Sequence, residues 1–139
     1  LIVAVAANAG KHPLFDVRER IAMLREVCKD LPNVEVAPLE GLTVAFARRR
    51  GATTLVRGLR AVSDFDFELQ QATVNRQLAP EIETVFFMTS PEFHYLSSSI
   101  VKEIAELGGS VADFVPREVE ARLRPRSSRP RARKRKGGA

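Results

Sequence analysis

TLVRGLRAVSDFDFELQQATVNRQL, residues 54–78, passes from a strand into a helix through a turn that carries two arginines. Thr53–Val56 is β-branched and strand-like. Arg57-Gly58-Leu59-Arg60 reads as the loop at that strand's carboxyl end, and Ser63 or Asp64 as the start of a helix. The helix runs to about Leu78, because Pro80 lacks the N–H that a further turn needs.

The same alternation repeats on both sides. Upstream, residues 1–7 (LIVAVAA) form a continuous apolar run, as expected of a strand buried on both faces of a parallel sheet. The loop 8–13 (NAGKHP) breaks it. Asp16 and Glu19 stand in capping-box spacing ahead of a helix carrying Ile21, Leu24, Cys28 and Leu31, and Pro32-Asn33 ends that run. Val34–Pro38 reads as a strand, and Leu42–Arg50 as a short helix stopped by Gly51. Downstream, Thr84–Met88 is a strand. Ser97-Ser98-Ser99 opens a helix that Gly108-Gly109 ends, and Pro116–Leu123 forms a last one. Strand and helix alternate four times, so the expected class is α/β with an open parallel sheet. Ligands of such sheets bind beyond the strands' carboxyl ends. The loops after Ala7, Val56 and Met88 are therefore expected to face one crevice.

The chain's 139 residues suffice for one domain, expected over 1–123. Its net charge of +5 belongs to the end of the chain. Residues 122–139 hold nine Lys or Arg and no acid, and the whole chain's +5 less these nine leaves −4 for residues 1–121. Residues 124–139 are expected to be a disordered basic tail, with at most nonspecific attraction to nucleic acid. No apolar run reaches membrane-spanning length, and a single cysteine excludes an internal disulfide, which suits a cytoplasmic protein. Cys28 lies on an apolar helical face and reads as inert core.

Three groups of residues suggest chemistry. Lys11 follows a strand end and suits a phosphate whose charge shifts during reaction, although a solvated loop lysine is the commoner case. Arg57 and Arg60 flank Gly58, joining two guanidinium forks to a backbone that admits close approach. The pattern suits an oligophosphate, and the plainer alternative is ion pairing with Asp64 and Asp66. Ser97–Ser99 at a helix start offers amides and hydroxyls to an anion, with Lys102 about one turn on. Simple capping by one serine is compatible with that role. Glu68 suits a ribose hydroxyl or a base amino group, or is an exposed helical glutamate. Phe65 and Phe67 read as helix packing. His12 and His94 lack metal-ligand spacing and receive no metal or acid–base role.

The run 54–111, with RGLRAVSDFDFE, NRQL and SSSIVKE, resembles the bacterial phosphopantetheine adenylyltransferases, and NAGKHPLFDVRERIAML resembles that family's lysine-bearing loop. The resemblance covers Leu1 to about Leu123. It implies a Rossmann-like nucleotidyltransferase fold and adenylyl transfer from ATP to 4′-phosphopantetheine, a step of coenzyme A biosynthesis. Mg²⁺ would accompany ATP, and the assembly would be a homohexamer. Carried over by position, Lys11, Thr43 and Arg57 would contact phosphopantetheine. Gly58, Leu59, Arg60, Glu68, Phe93, His94, Tyr95, Leu96, Ser97, Ser98 and Ser99 would contact ATP. Lys11, Arg60 and Ser98 would carry the catalytic charge stabilisation.

The sequence departs from the family at its beginning. The family's first strand, central in its sheet, and the following GxFDPxTxGH loop with its transition-state histidine have no counterpart in these residues. The 139-residue chain alone is therefore expected to be unstable or inactive. Two rival readings are a noncatalytic nucleotide-binding remnant and a nucleic-acid binder acting through the tail. An acidic core with one tyrosine and no RNA-binding aromatic motif speaks against the second.

Overall fold

The computed structural model describes residues 1–7 and 13–127. The loop bearing Lys11 and His12, and the tail from residue 128, lie outside the described residues. Two compact units emerge, Leu1–Tyr95 and a second beginning at Leu96.

The first unit is built from two parallel strand pairs. β1 (Ile2–Ala6) pairs with β2 (Glu35–Leu39) in the register Val3↔Val36 and Val5↔Pro38. Pro38 has no N–H to give, and it is tolerated because β2 has a neighbour on one side among the described residues. α1 (Val17–Val27) follows β1, and its start was legible in the sequence. The Glu19 amide donates to Asp16 Oδ1 at 2.8 Å, and the Asp16 amide donates to Glu19 Oε2 at 2.8 Å. Arg20 reaches back from the same turn to donate to the Ala6 carbonyl at 2.8 Å. Met23 is the buried residue of this helix. Cys28, expected in the core, is instead the half-buried C-cap, because α1 ends at Val27 and turns the cysteine toward the surface.

The second pair is β3 (Thr54–Leu59) and β4 (Glu83–Met88), again parallel, with Arg57↔Phe86 and Leu59↔Met88 in register. α2 (Thr43–Arg49) and α3 (Val62–Leu78) complete the unit. Val44 and Ala47 of α2 pack with Ala79 and Ile82 at the entrance to β4, and Ala52 and Leu55 close this core. Arg48 clamps the same corner, donating to both Glu81 oxygens and to the Leu78 carbonyl. Gly51 ends α2 at φ +64°, a conformation that disfavours a side chain.

All strand pairing is parallel and helices alternate with strands, the α/β class expected. The four strands do not form one continuous sheet, because β1 pairs with β2 and β3 with β4 and no ladder joins the pairs among the described residues. Phe65 and Phe67, expected to pack α3, are 42% and 60% exposed.

The second unit holds α4 (Ser98–Glu106) and α5 (Arg117–Ser127). Gly108 follows α4 at φ +81°. Val101, Ala105, Val111 and Leu123 are its buried apolar residues. α5 continues to Ser127, four residues into the segment expected as tail. Among the described residues no helix is long and apolar enough to cross a membrane.

Candidate functional site

The carboxyl end of β3 gathers the charged residues. β3 extends three residues beyond its expected end at Val56, so Arg57, Gly58 and Leu59 belong to the strand and Arg60 follows it. Residues of a strand alternate between faces, so Arg57 shares a face with Leu55 and the buried Leu59. That face meets α3, where Asp64 and Glu68 stand one turn apart on the same side.

Arg57 and Glu68 form a two-bond fork. Nε donates to Oε2 and Nη2 to Oε1, each at 2.7 Å. Glu68 is largely withdrawn from solvent, its side chain 13% exposed against 48% for Arg57. The carboxylate holds the guanidinium's proton more firmly than usual, chiefly through this hydrogen bond. Arg60 takes Asp64 in the same manner, Nε donating to Oδ2 at 3.1 Å while the Arg60 amide donates to the same oxygen at 3.2 Å. The Asp64 carboxyl lies below its ordinary range, first because of the Arg60 side-chain hydrogen bond. Of the two acids named as the plainer alternative, Asp64 holds Arg60, while Arg57 is held by Glu68. A Cβ placed on Gly58 would meet no atom within 4 Å, so the backbone there is open to an approaching group.

Other expected residues take separate places. Thr43 opens α2 just beyond β2's carboxyl end. Phe93 closes a 3-10 turn at Pro91–Phe93 that follows β4. His94 stands next, its Nε2 2.8 Å from the Thr89 carbonyl, which requires the proton on that nitrogen. The Thr89 amide in turn donates to the Leu59 carbonyl at 2.8 Å, tying this turn to the end of β3. Tyr95 is exposed. Leu96, Ser97, Ser98 and Ser99 belong to the second unit. There the Ser97 hydroxyl caps α4 by accepting the Ile100 amide at 3.2 Å, and Ser98 and Ser99 form its first turn. Lys11 lies outside the described residues, so the expected single crevice is represented by the β3 and β4 ends.

Concavities of about 390 Å³ beside Arg25 and Cys28, and of about 290 Å³ beside Gly108 and Glu120, include none of the expected site residues. The role of Glu68 as the partner of Arg57 escaped the sequence reading. Its signal was the spacing from a strand-borne arginine to the second turn of the following helix.

Residues 1–104 match the family model described as cytidylyltransferase-like. The chain is 54% identical over 123 residues to the phosphopantetheine adenylyltransferase of Caldanaerobacter subterraneus subsp. tengcongensis, covering 88% of this chain and 77% of that protein. Against the phosphopantetheine adenylyltransferase of Lachnoclostridium phytofermentans the identity is 56% over 119 residues, covering 86% and 73%. Against the one from Desulforudis audaxviator it is 53% over 124 residues, covering 89% and 76%.

Proposed function

The chain belongs to the cytidylyltransferase-like family and, within it, to the phosphopantetheine adenylyltransferases, and from that premise we propose that it transfers the adenylyl group of ATP to 4′-phosphopantetheine. The products are dephospho-coenzyme A and pyrophosphate, and the setting is cytoplasmic coenzyme A synthesis. The observation that carries the reading is the pair of anchored arginines at the end of β3, beside a glycine with open space over it.

In the reaction, a phosphate oxygen of phosphopantetheine attacks the α-phosphorus of ATP. The bond from that phosphorus to the bridging oxygen breaks, and pyrophosphate leaves with the electron pair. No covalent enzyme intermediate is needed, so catalysis consists of positioning and charge stabilisation. Lys11, Thr43 and Arg57 take the phosphopantetheine. The resemblance assigns Gly58, Leu59, Arg60, Glu68 and Phe93–Ser99 to the nucleotide, and gives Lys11, Arg60 and Ser98 the part of offsetting the charge that gathers at the reacting phosphates. Arg60 is suited to this because Asp64 orients its fork. Ser97 is engaged as a cap, which leaves Ser98 and the first-turn amides of α4 for phosphate oxygens. His94 is held by the Thr89 carbonyl and takes no proton-transfer role.

Among the described residues no group of three His, Cys, Asp or Glu could hold a metal ion. Mg²⁺ would accompany the substrate as MgATP, as the resemblance implies, with the nucleotide's phosphates as its main ligands. The exposed Phe67 and Leu78 of α3 support an oligomer, the homohexamer that the resemblance implies.

Pyrophosphate release tests the proposal. The chain, and the same chain preceded by a family strand and GxFDPxTxGH loop, are given MgATP and 4′-phosphopantetheine. Turnover that requires both substrates is expected of the extended form. Ligand binding without turnover in both forms favours a noncatalytic nucleotide-binding protein. Silence from a folded extended form overturns the proposal.

A further inference from the structure

Where the β3–β4 ladder stops, a backbone carbonyl is met by a side chain. The last rung is the Thr89 amide on the Leu59 carbonyl, at 2.8 Å. In a parallel ladder the next bond would run from the amide of residue 61 to the Thr89 carbonyl. The Ala61 amide is instead drawn to the Asp64 carboxylate, which the Arg60 amide also reaches, at 3.2 Å. The His94 ring supplies a donor in its place, Nε2–H donating to the Thr89 carbonyl at 2.8 Å. This bond spans five residues and folds the chain back on itself. Within the span lies the 3-10 turn Pro91–Phe93, whose N-cap Ser90 makes no side-chain cap bond. The Phe93 amide donates to the Ser90 carbonyl at 2.9 Å and the His94 amide to the Pro91 carbonyl at 3.3 Å, so the turn is closed by local bonds. The ring bond ties it to the end of the strand pair. Leu59, Thr89 and His94 thus form one hydrogen-bonded path inside the first unit.

We propose that His94 is a positioning residue whose ring latches this turn to the ends of β3 and β4, and so fixes the backbone of residues 93–95 relative to Gly58–Arg60 for ATP. The inference rests on the adenylyltransferase reading and deepens it. The nucleotide contacts implied for both stretches stand, and the His94 side chain gains the part of holding them in register. Without the latch, ATP must order the turn as it binds, and that ordering subtracts from affinity. An imidazole suits the task because its ring is rigid and carries a donor at its far end. The latch needs that donor and no charge. A ring acting as a cation on the phosphates would need the charge, and the two roles respond differently to substitution.

The latch is read first in the full chain without ligand. Long-range proton–nitrogen correlation spectra at about pH 8 should show the His94 proton on Nε2, slowed in its exchange with water. A ring averaging between its two tautomers would overturn the latch. Calorimetric titration with MgATP and, separately, with 4′-phosphopantetheine then reads its purpose. His94→Ala is expected to weaken MgATP by about three- to tenfold and to leave phosphopantetheine within about twofold. The ring lies at the surface, so the thermal midpoint should stay in place. His94→Gln puts an amide N–H where Nε2 stands and should restore MgATP affinity. His94→Asn puts its amide at the position of Nδ1, short of the Thr89 carbonyl, and should bind as weakly as His94→Ala. Unchanged MgATP affinity in His94→Ala would overturn the proposal. Loss in His94→Gln equal to that in His94→Ala would overturn it in favour of a direct contact by the ring. Equal weakening of both ligands with a lowered midpoint would reduce His94 to a structural role. A folded wild-type chain that shows the latch in its spectrum and binds neither ligand contradicts the adenylyltransferase reading itself, and the positioning role falls with it.

Discussion

Arg57 and Arg60 differ in how firmly they are held, and that difference has consequences at the level of single residues. Asp64 sits at the surface and its carboxyl is held below the ordinary range by Arg60. A carboxyl lowered in the folded state contributes stability above the unfolded value, near pH 4, and loses it as pH falls through the lowered folded value. Urea unfolding followed from about pH 6 to pH 2 should therefore show a smaller acid-side loss in Asp64→Asn than in the wild type. The effect is modest, because the pair is solvated. Gly58 separates fold from function in a different way. Gly58→Ala meets open space, so the urea midpoint should move little, while MgATP affinity should fall about tenfold if the nucleotide approaches the backbone there. An unchanged affinity would remove Gly58 from the site. At this scale the sequence showed which side chains bear charge but not which ones meet. Ending the strand at Val56 left both arginines in a loop, with Asp64 and Asp66 as the alternative partners. In the structure the strand's two-residue alternation turns Arg57 onto the face covered by α3, where Glu68 is the residue within reach.

Local chemistry made several elements legible. The Asp16–Glu19 box appears with both reciprocal hydrogen bonds, since it depends on residues three apart and on little else. Asp16→Ala should lower the unfolding free energy by about 1 kcal/mol in urea titrations, and a loss near zero would show that α1 is held by its packing alone. Ser97 behaves likewise, and its engagement in the α4 cap explains why Ser98 is the better candidate for phosphate. Elements whose ends depend on pairing were less legible. β3 continues to Leu59 because β4 offers a ladder through Met88, and that ladder is a long-range fact. α3 begins at Val62 with Ala61 as an uncapped N-cap, so the side-chain signal at Ser63 and Asp64 pointed one or two residues late.

The pairing of strands within the first unit explains why apolar residues lie at its surface. A parallel pair is normally covered on both faces. Leu55 and Leu59 of the β3–β4 pair face the helices, while Val56, Val85 and Phe87 on the opposite face remain 54%, 42% and 62% exposed. Adding the family's first strand and loop ahead of Leu1 should raise the thermal midpoint and sharpen the transition, with the change read by calorimetry. An unchanged midpoint would show that the two strand pairs are already as stable as the fold requires. Composition and alternation were sufficient for the α/β class, and the motifs around Arg57 and Ser97 for the family. The division of the strands into two pairs was not legible, because strand order is not encoded in any local pattern. The central claim, adenylyl transfer between ATP and phosphopantetheine, is tested most directly by running the reaction backward. Dephospho-coenzyme A and pyrophosphate, incubated with the extended chain and Mg²⁺, should yield ATP and 4′-phosphopantetheine in equal amounts, detected by mass. Failure of a folded extended chain to form ATP, or formation of it without dephospho-coenzyme A, would contradict the account.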